Sequence, residues 1–106
     1  MPDFSFDADP NTGVSVYDST SCQGLSGWLV FGGTSVASPS LSGIVNSTGH
    51  FYPSSTELST IYATYNSSSY AVDFRDIISG TAGTFSCAAG WDFVTGVGSD
   101  LGLAGK

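Results

Sequence analysis

An α/β architecture, short parallel strands packed against helices and closed by a C-terminal loop region, is what the sequence predicts, on three observations. Residues 27–31 (Gly-Trp-Leu-Val-Phe) are apolar at consecutive positions, hence on both faces, as in a covered strand of a parallel sheet. They lead through Gly32-Gly33 into residues 35–48, a helical stretch rich in Ser, Ala and Gly whose small side chains suit close packing inside a larger body. Beyond Tyr70 glycines dominate, so the last third reads as loop.

Taken in order, residues 14–17 have the β-branched and aromatic content of a short strand, followed by the strand at 27–31. The helix over 35–48 has Gly49 placed as its C-terminal stop. Ser55 or Thr56 is a natural cap for a further helix over 57–65, where Leu58, Ile61 and Tyr62 recur at spacings of three and four on one face.

Between the second strand and the first helix lies Gly32-Gly33-Thr34-Ser35-Val36-Ala37-Ser38-Pro39. A glycine turn out of a strand into a helix start points free N–H groups and the helix dipole at the serine oxygen, which presents a nucleophile. Pro39 has no N–H to bond the Ser35 carbonyl, so the first turn is locally loosened. The competing reading is an ordinary strand–turn–helix corner in which Thr34 or Ser35 is only an N-cap.

Further motifs follow at Phe74-Arg75-Asp76-Ile77-Ile78-Ser79-Gly80 and Ala88-Ala89-Gly90-Trp91-Asp92-Phe93-Val94-Thr95-Gly96-Val97-Gly98-Ser99. With the serine segment and the opening Pro2-Asp3-Phe4-Ser5-Phe6-Asp7-Ala8-Asp9-Pro10-Asn11-Thr12-Gly13, they give a chain that resembles, over nearly its whole length, the C-terminal part of the catalytic domain of the sedolisin family, the serine-carboxyl peptidases. The resemblance implies a partial subtilisin-like fold, a secreted serine endopeptidase working in acid, and Ser35 as the nucleophile. In that family glutamate and aspartate replace histidine as the activating groups, and they belong to a segment upstream of the one matched. The single glutamate, Glu57, follows Ser35 in a surface helix and matches neither. The chain is accordingly expected to be one partial domain over 1–106, with a nucleophile segment at 27–49 and a calcium loop at 73–98, inactive alone.

Asp76 and Asp92 stand 16 positions apart across a glycine-containing stretch that must fold back for their carboxylates to meet. Two carboxylates and several carbonyls suit calcium, a hard cation taking six to eight oxygens. The resemblance implies Asp76, Ile77, Ala88, Gly90 and Asp92 as the Ca2+ ligands, Ala88 standing where the family usually has glycine; only a carbonyl is needed there. Loop caps are the competing role for the two aspartates. Asp7, Asp9, Asn11 and Asp18 imitate an EF-hand loop, but the glycine falls one place late at Gly13 and 14–17 reads as strand, so a simple turn is favoured.

Composition sets limits. Nine acidic residues against Arg75 and Lys106 give a net charge of −7, too few cations for a nucleic-acid surface. Charged residues make up 10%, against about 25% in typical soluble domains. There is no apolar run near the roughly 18 residues that would span a membrane, and Met1-Pro2-Asp3 does not begin a secretory signal. Cys22 and Cys87 permit one disulfide or two free thiols. Asn46-Ser47-Thr48 and Asn66-Ser67-Ser68 fit the N-glycosylation pattern, and a buried helix end at Asn46 leaves Asn66 as the expected acceptor. His50 is the single histidine; about 20 Å of helix separates it from Ser35, which opposes a Ser–His dyad. The uncovered apolar faces around 29–31 and 35–48 predict a homo-oligomer. The alternatives to a peptidase portion are a non-catalytic, calcium-stabilised module that self-associates and a small Ser35-dependent esterase.

Overall fold

A computed structural model describes residues 1–103, without the side chain of Cys22. The chain divides into two compact units, one of residues 6–42 and the other of residues 1–5 with the chain from Gly43 onward.

In the first unit, β1 (Val14–Cys22) and β2 (Leu25–Phe31) form an antiparallel hairpin. Gln23 and Gly24 join them with φ of 52° and 81°, the two positive values of a tight hairpin turn whose twist matches that of the strands. Tyr17 lies opposite Trp28 and the rings meet edge to face at 5.4 Å. The register shifts between Asp18 and Cys22, where the Asp18 carboxylate accepts the Thr20 N–H at 2.8 Å. Ahead of the hairpin, Asp7 and Asp9 accept the N–H groups of Asp9 and Asn11, and the Thr12 hydroxyl closes on Asp7. The EF-hand imitation is thus a turn whose carboxylates are used internally, with a strand after it.

The expected parallel strands are not found. Each two-stranded sheet among the described residues is antiparallel: β1 with β2; β3 (Phe74–Arg75) with β6 (Ser99–Asp100); and β4 (Thr81–Ala82) with β5 (Phe85–Ser86). A single isolated bridge, Ser5 to Ser99, is parallel. The α/β subtilisin-like expectation is corrected accordingly. The physical reason is local: a two-residue connection can only return the chain antiparallel, since a parallel crossover needs a dozen or more residues. The apolar character of 27–31 on both faces therefore signals an uncovered hairpin, with Tyr17 61% and Trp28 74% exposed.

Helix α1 (Thr34–Ser47) begins one residue before the expected start, has Pro39 inside it, and stops before Gly49 at φ +75°. None of its residues is fully buried, and only the face carrying Val36, Ala37, Ser40, Leu41, Ile44 and Val45 is half-buried, so its small side chains do not mark a helix enclosed all round. Ser40, Ser42 and Ser47 turn their hydroxyls back onto the carbonyls of Val36, Ser38 and Gly43. Helix α2 (Ser54–Tyr65) starts three residues earlier than expected, capped by the Pro53 carbonyl, which accepts the N–H groups of Thr56 and Glu57; no side chain of Ser55 or Thr56 caps it. Pro53 has the extended ψ of 150° that suits a residue entering a helix.

The core belongs to the second unit. Ile61 from α2, Phe74 from β3 and Val97 are fully buried, and Phe4, Tyr62, Tyr65, Tyr70 and Trp91 pack around them. Tyr70 opens the single-turn helix α3 (Tyr70–Asp73), which delivers the chain into β3. The chain start is tied down here: the Tyr62 hydroxyl donates to the Asp3 carboxylate at 2.9 Å, and the Val97 N–H to the Asp3 carbonyl at 2.9 Å.

Candidate functional site

Residues 73–98 leave the core through β3 and return to it at Val97, so the ends of the loop are fixed by burial while its middle folds over. Cross-links from side-chain carboxylates set its shape. Asp76, just past β3, accepts the Gly90 N–H at 2.8 Å through Oδ2. Asp92, only 5% exposed, accepts the Ala88 N–H at 3.0 Å through Oδ2 and the N–H groups of Val94 and Thr95 at 2.8 and 2.7 Å through Oδ1. The Thr95 hydroxyl adds contacts of 3.2 and 3.3 Å to the two Asp92 oxygens. Asp92 and Gly96 also exchange both backbone hydrogen bonds. The two aspartates 16 positions apart therefore both grip one short segment, residues 88–90.

The environment tunes these groups. Hydrogen bonds hold the Asp92 carboxyl below its ordinary 3.8, that of the Ala88 N–H counting most, with burial opposing and the Thr95 and Val94 N–H groups adding to the lowering. Such bonds are made to the charged form and stabilise it. Tyr70 donates its hydroxyl to the Val97 carbonyl at 2.8 Å, and burial, then the neighbouring Asp76 charge, push its pKa up to about 12. The Tyr65 hydroxyl accepts the Trp91 N–H at 3.0 Å and braces the segment from the α2 side.

A cation could draw on a definite set of oxygens. Asp76 Oδ1 is buried and has no hydrogen-bond partner. Among the described residues, the carbonyls of Ile77, Ala88 and Gly90 accept no hydrogen bond either. No three His, Cys, Asp or Glu side chains cluster among the described residues, but a site of two carboxylates and three carbonyls would not need them. All of these donors are oxygens, the kind calcium takes, and one carboxylate oxygen among them lacks a hydrogen-bond partner. Asp92 is the more committed of the two, because its oxygens already close the loop; the long Thr95 hydroxyl contacts are the ones a cation would replace.

Ser35 is the second residue of α1 and is exposed. The chain reaches it through Gly33, whose N–H donates to the Ala8 carbonyl at 2.6 Å, while the Gly33 carbonyl accepts the N–H groups of Val36 and Ala37. Gly32 lies against Pro10, where a Cβ would stand about 2.5 Å from its Cα, so the corner tolerates no side chain. The Ser35 hydroxyl has no hydrogen-bond partner among the described residues. His50 stacks near Tyr52 at 5.4 Å between ring centres. Cys87 is a free thiol. A shallow groove of about 470 Å³ lies along α2 and the turn after it, lined by hydroxyls such as Thr56, Thr60 and Ser67 with Asp73, and it includes none of the candidate residues.

Thr95, Tyr65 and Tyr70 are the participants that sequence reading missed. Asp92-Phe93-Val94-Thr95 is an aspartate three positions before a threonine whose N–H and hydroxyl both turn back to it, a recognisable Asx-type turn. The tyrosines are 26 or more positions from their backbone partners and leave no local signal. No family model, curated protein or solved structure matches this chain.

Proposed function

We propose that this chain is the nucleophile- and calcium-bearing C-terminal portion of a sedolisin-like acid serine endopeptidase, acting outside the cell and inactive without the segment that carries the activating glutamate and aspartate. The observation that carries the proposal is the Asp76–Asp92 loop. Its two carboxylates converge on the N–H groups of residues 88–90, and Asp76 Oδ1 is buried without a hydrogen-bond partner. A calcium ion held there would fix the loop against the core. The depressed Asp92 pKa supports the acid setting, because the carboxylate that closes the loop keeps its charge where ordinary carboxylates begin to take up protons.

Ser35 supplies the attacking oxygen in this reading. An unassisted serine is a weak nucleophile, and general-base assistance contributes typically 10²–10⁴-fold. Its exposed position at a helix start leaves the hydroxyl open to a carboxylate brought by the completing segment, which would accept its proton as the bond to the peptide carbonyl forms. The same isolation opposes a self-sufficient esterase. A second reading, a calcium-stabilised module that self-associates without catalysis, is favoured by the exposed hairpin residues Tyr17, Trp28 and Val30.

Two measurements test the proposal. Thermal denaturation with calcium against chelator is expected to show stabilisation, about 2.7 kcal/mol at 100 times the dissociation constant. The effect should vanish in Asp76→Asn; identical melting in all four samples would remove the metal site. Protein substrates incubated at pH 3–5 with the pure chain and with Ser35→Ala should remain intact in both. Serine-dependent cleavage by the chain alone would overturn the claim that it is incomplete. If the calcium response holds, supplying the missing segment in trans separates the two readings: restored Ser35-dependent cleavage marks the peptidase, and its absence the inert module.

A further inference from the structure

Asn46 and Asn66 both begin acceptor triplets for N-linked glycans, and the structure reverses the order in which sequence ranks them. We propose that Asn46 is the N-glycan acceptor of this chain and that Asn66 is not. Asn46 is exposed in the last turn of α1, a helix with no buried residue, and its side-chain amide makes no hydrogen bond among the described residues. The triplet runs out of the helix: Ser47 is its last residue, and Thr48 and Gly49 form the turn that ends it. A glycosyltransferase must draw the acceptor triplet into an extended or turn conformation. Opening the end of a helix with no fully buried residue costs a few hydrogen bonds of its last turn: those of the Thr48 and Gly49 N–H groups to Val45 and Asn46, of the Ser47 and Thr48 hydroxyls to Gly43 and Val45, and of the His50 N–H to the Thr48 hydroxyl.

Asn66 is equally exposed but is held differently. It is the C-cap of α2, and its amide nitrogen, the atom that would have to react, donates to the Tyr62 carbonyl at 2.7 Å. Its triplet is held in the turn between α2 and α3, whose Tyr62, Tyr65 and Tyr70 pack on the core cluster. Extending residues 66–68 would pull on that packing. The reaction itself is a displacement. The Asn46 amide nitrogen forms a bond to the anomeric carbon of an oligosaccharide carried on a polyprenyl diphosphate. The bond from that carbon to the diphosphate oxygen breaks, the lipid diphosphate leaves with the electron pair, and one amide proton passes to a base of the transferase.

The inference rests on the extracellular reading above only in requiring entry to the secretory pathway. A test that forces entry keeps the two apart. The full chain is expressed behind a cleavable signal peptide in a eukaryotic secretory host, alongside Asn46→Gln, Thr48→Ala and Asn66→Gln. Secreted and retained fractions are both treated with a glycan-cleaving amidase and mapped by peptide mass spectrometry, so a variant that misfolds and stays in the cell is still scored. The expected result is one amidase-sensitive glycan in the wild type and in Asn66→Gln, and none in Asn46→Gln or Thr48→Ala. An unmodified wild type, or a glycan that persists in Asn46→Gln, would overturn the assignment, whatever the fate of the calcium and peptidase proposals.

Discussion

Gly98 offers the sharpest test of whether the candidate calcium loop is held by its attachment to β3. Its φ is +100°, and a Cβ there would overlap the Arg75 carbonyl oxygen, with the carbonyl carbon at 3.0 Å and the Asp76 Cα at 3.3 Å. Replacing it by alanine carries two costs. The left-handed backbone costs an L-residue about 1–2 kcal/mol. Overpacking against backbone, which cannot rotate away as a side chain could, costs about 1–3 kcal/mol more. The displaced group is the peptide joining Arg75 to Asp76, so the short β3–β6 pairing of Phe74 with Asp100 and Arg75 with Ser99 must yield. Gly98→Ala should therefore destabilise by about 3 kcal/mol, lowering the melting temperature by roughly 12 °C or more for a chain of this size. Gly83→Ala is the control: φ is +61° with nothing within 4 Å, so only the backbone cost remains, about 1 kcal/mol. Thermal melts of both variants in chelator, followed by far-ultraviolet circular dichroism, give the two numbers. Calcium titrations should then show weaker binding to Gly98→Ala alone, because only that variant moves Asp76. Equal melting temperatures for the two variants would refute the reasoning, since the close approach of residue 98 to β3 would then be absent in solution.

Three further outcomes are expected. Because the folded Asp92 pKa is depressed, its contribution is present above the unfolded value, about 4, and drains as pH falls from there through the folded value. The melting temperature in chelator should hold from neutrality to about pH 5 and drop below about pH 4, with a shallower drop in Asp92→Asn. Tyr70 has a raised pKa, so its neutral form is favoured by folding, and that stabilisation is full below the usual value near 10 and lost as pH rises toward 12. Ultraviolet titration should show a late tyrosine step near 12 that disappears in Tyr70→Phe. Light scattering across concentrations should show self-association through the hairpin, reduced in Tyr17→Ser/Trp28→Ser, whose rings stand exposed on one face; a monomeric wild type at its highest soluble concentration would remove the hairpin as an interface.

What was legible in the sequence was what local chemistry decides. The pause at Gly49, the proline inside α1, the face of α2 that places Ile61 in the core and the folding back of Asp76 toward Asp92 all follow from residues within a few positions or from a glycine-rich segment that has no other way to turn. The failures have one origin, the absence in a sequence of any sign of what covers a surface. Consecutive apolar residues at 27–31 are the same whether a strand is enclosed in a parallel sheet or exposed in a hairpin. The deciding signal was the turn, and Gln23-Gly24 is weaker than the Asn-Gly or Asp-Gly that would have announced it. The small residues of α1 fit close packing equally well, but the helix is at most half-buried on one face, and the expectation of enclosure also misplaced Asn46 as buried.

The candidate site divides along the same line. The carboxylates could be nominated from their spacing, but the groups that settle what each carboxylate does could not. Thr95 with Val94 and Ala88 uses up most of the capacity of Asp92, whereas Asp76 is left with an oxygen that nothing satisfies. A buried carboxylate oxygen without a partner is costly. Under the calcium proposal that cost would separate a ligand from a loop cap: Asp92 already closes the loop through its own hydrogen bonds, whereas Asp76 keeps an oxygen for a cation to take up. Asp76→Asn should therefore abolish the calcium response while changing the chelator-treated fold little, and Asp92→Asn should weaken both.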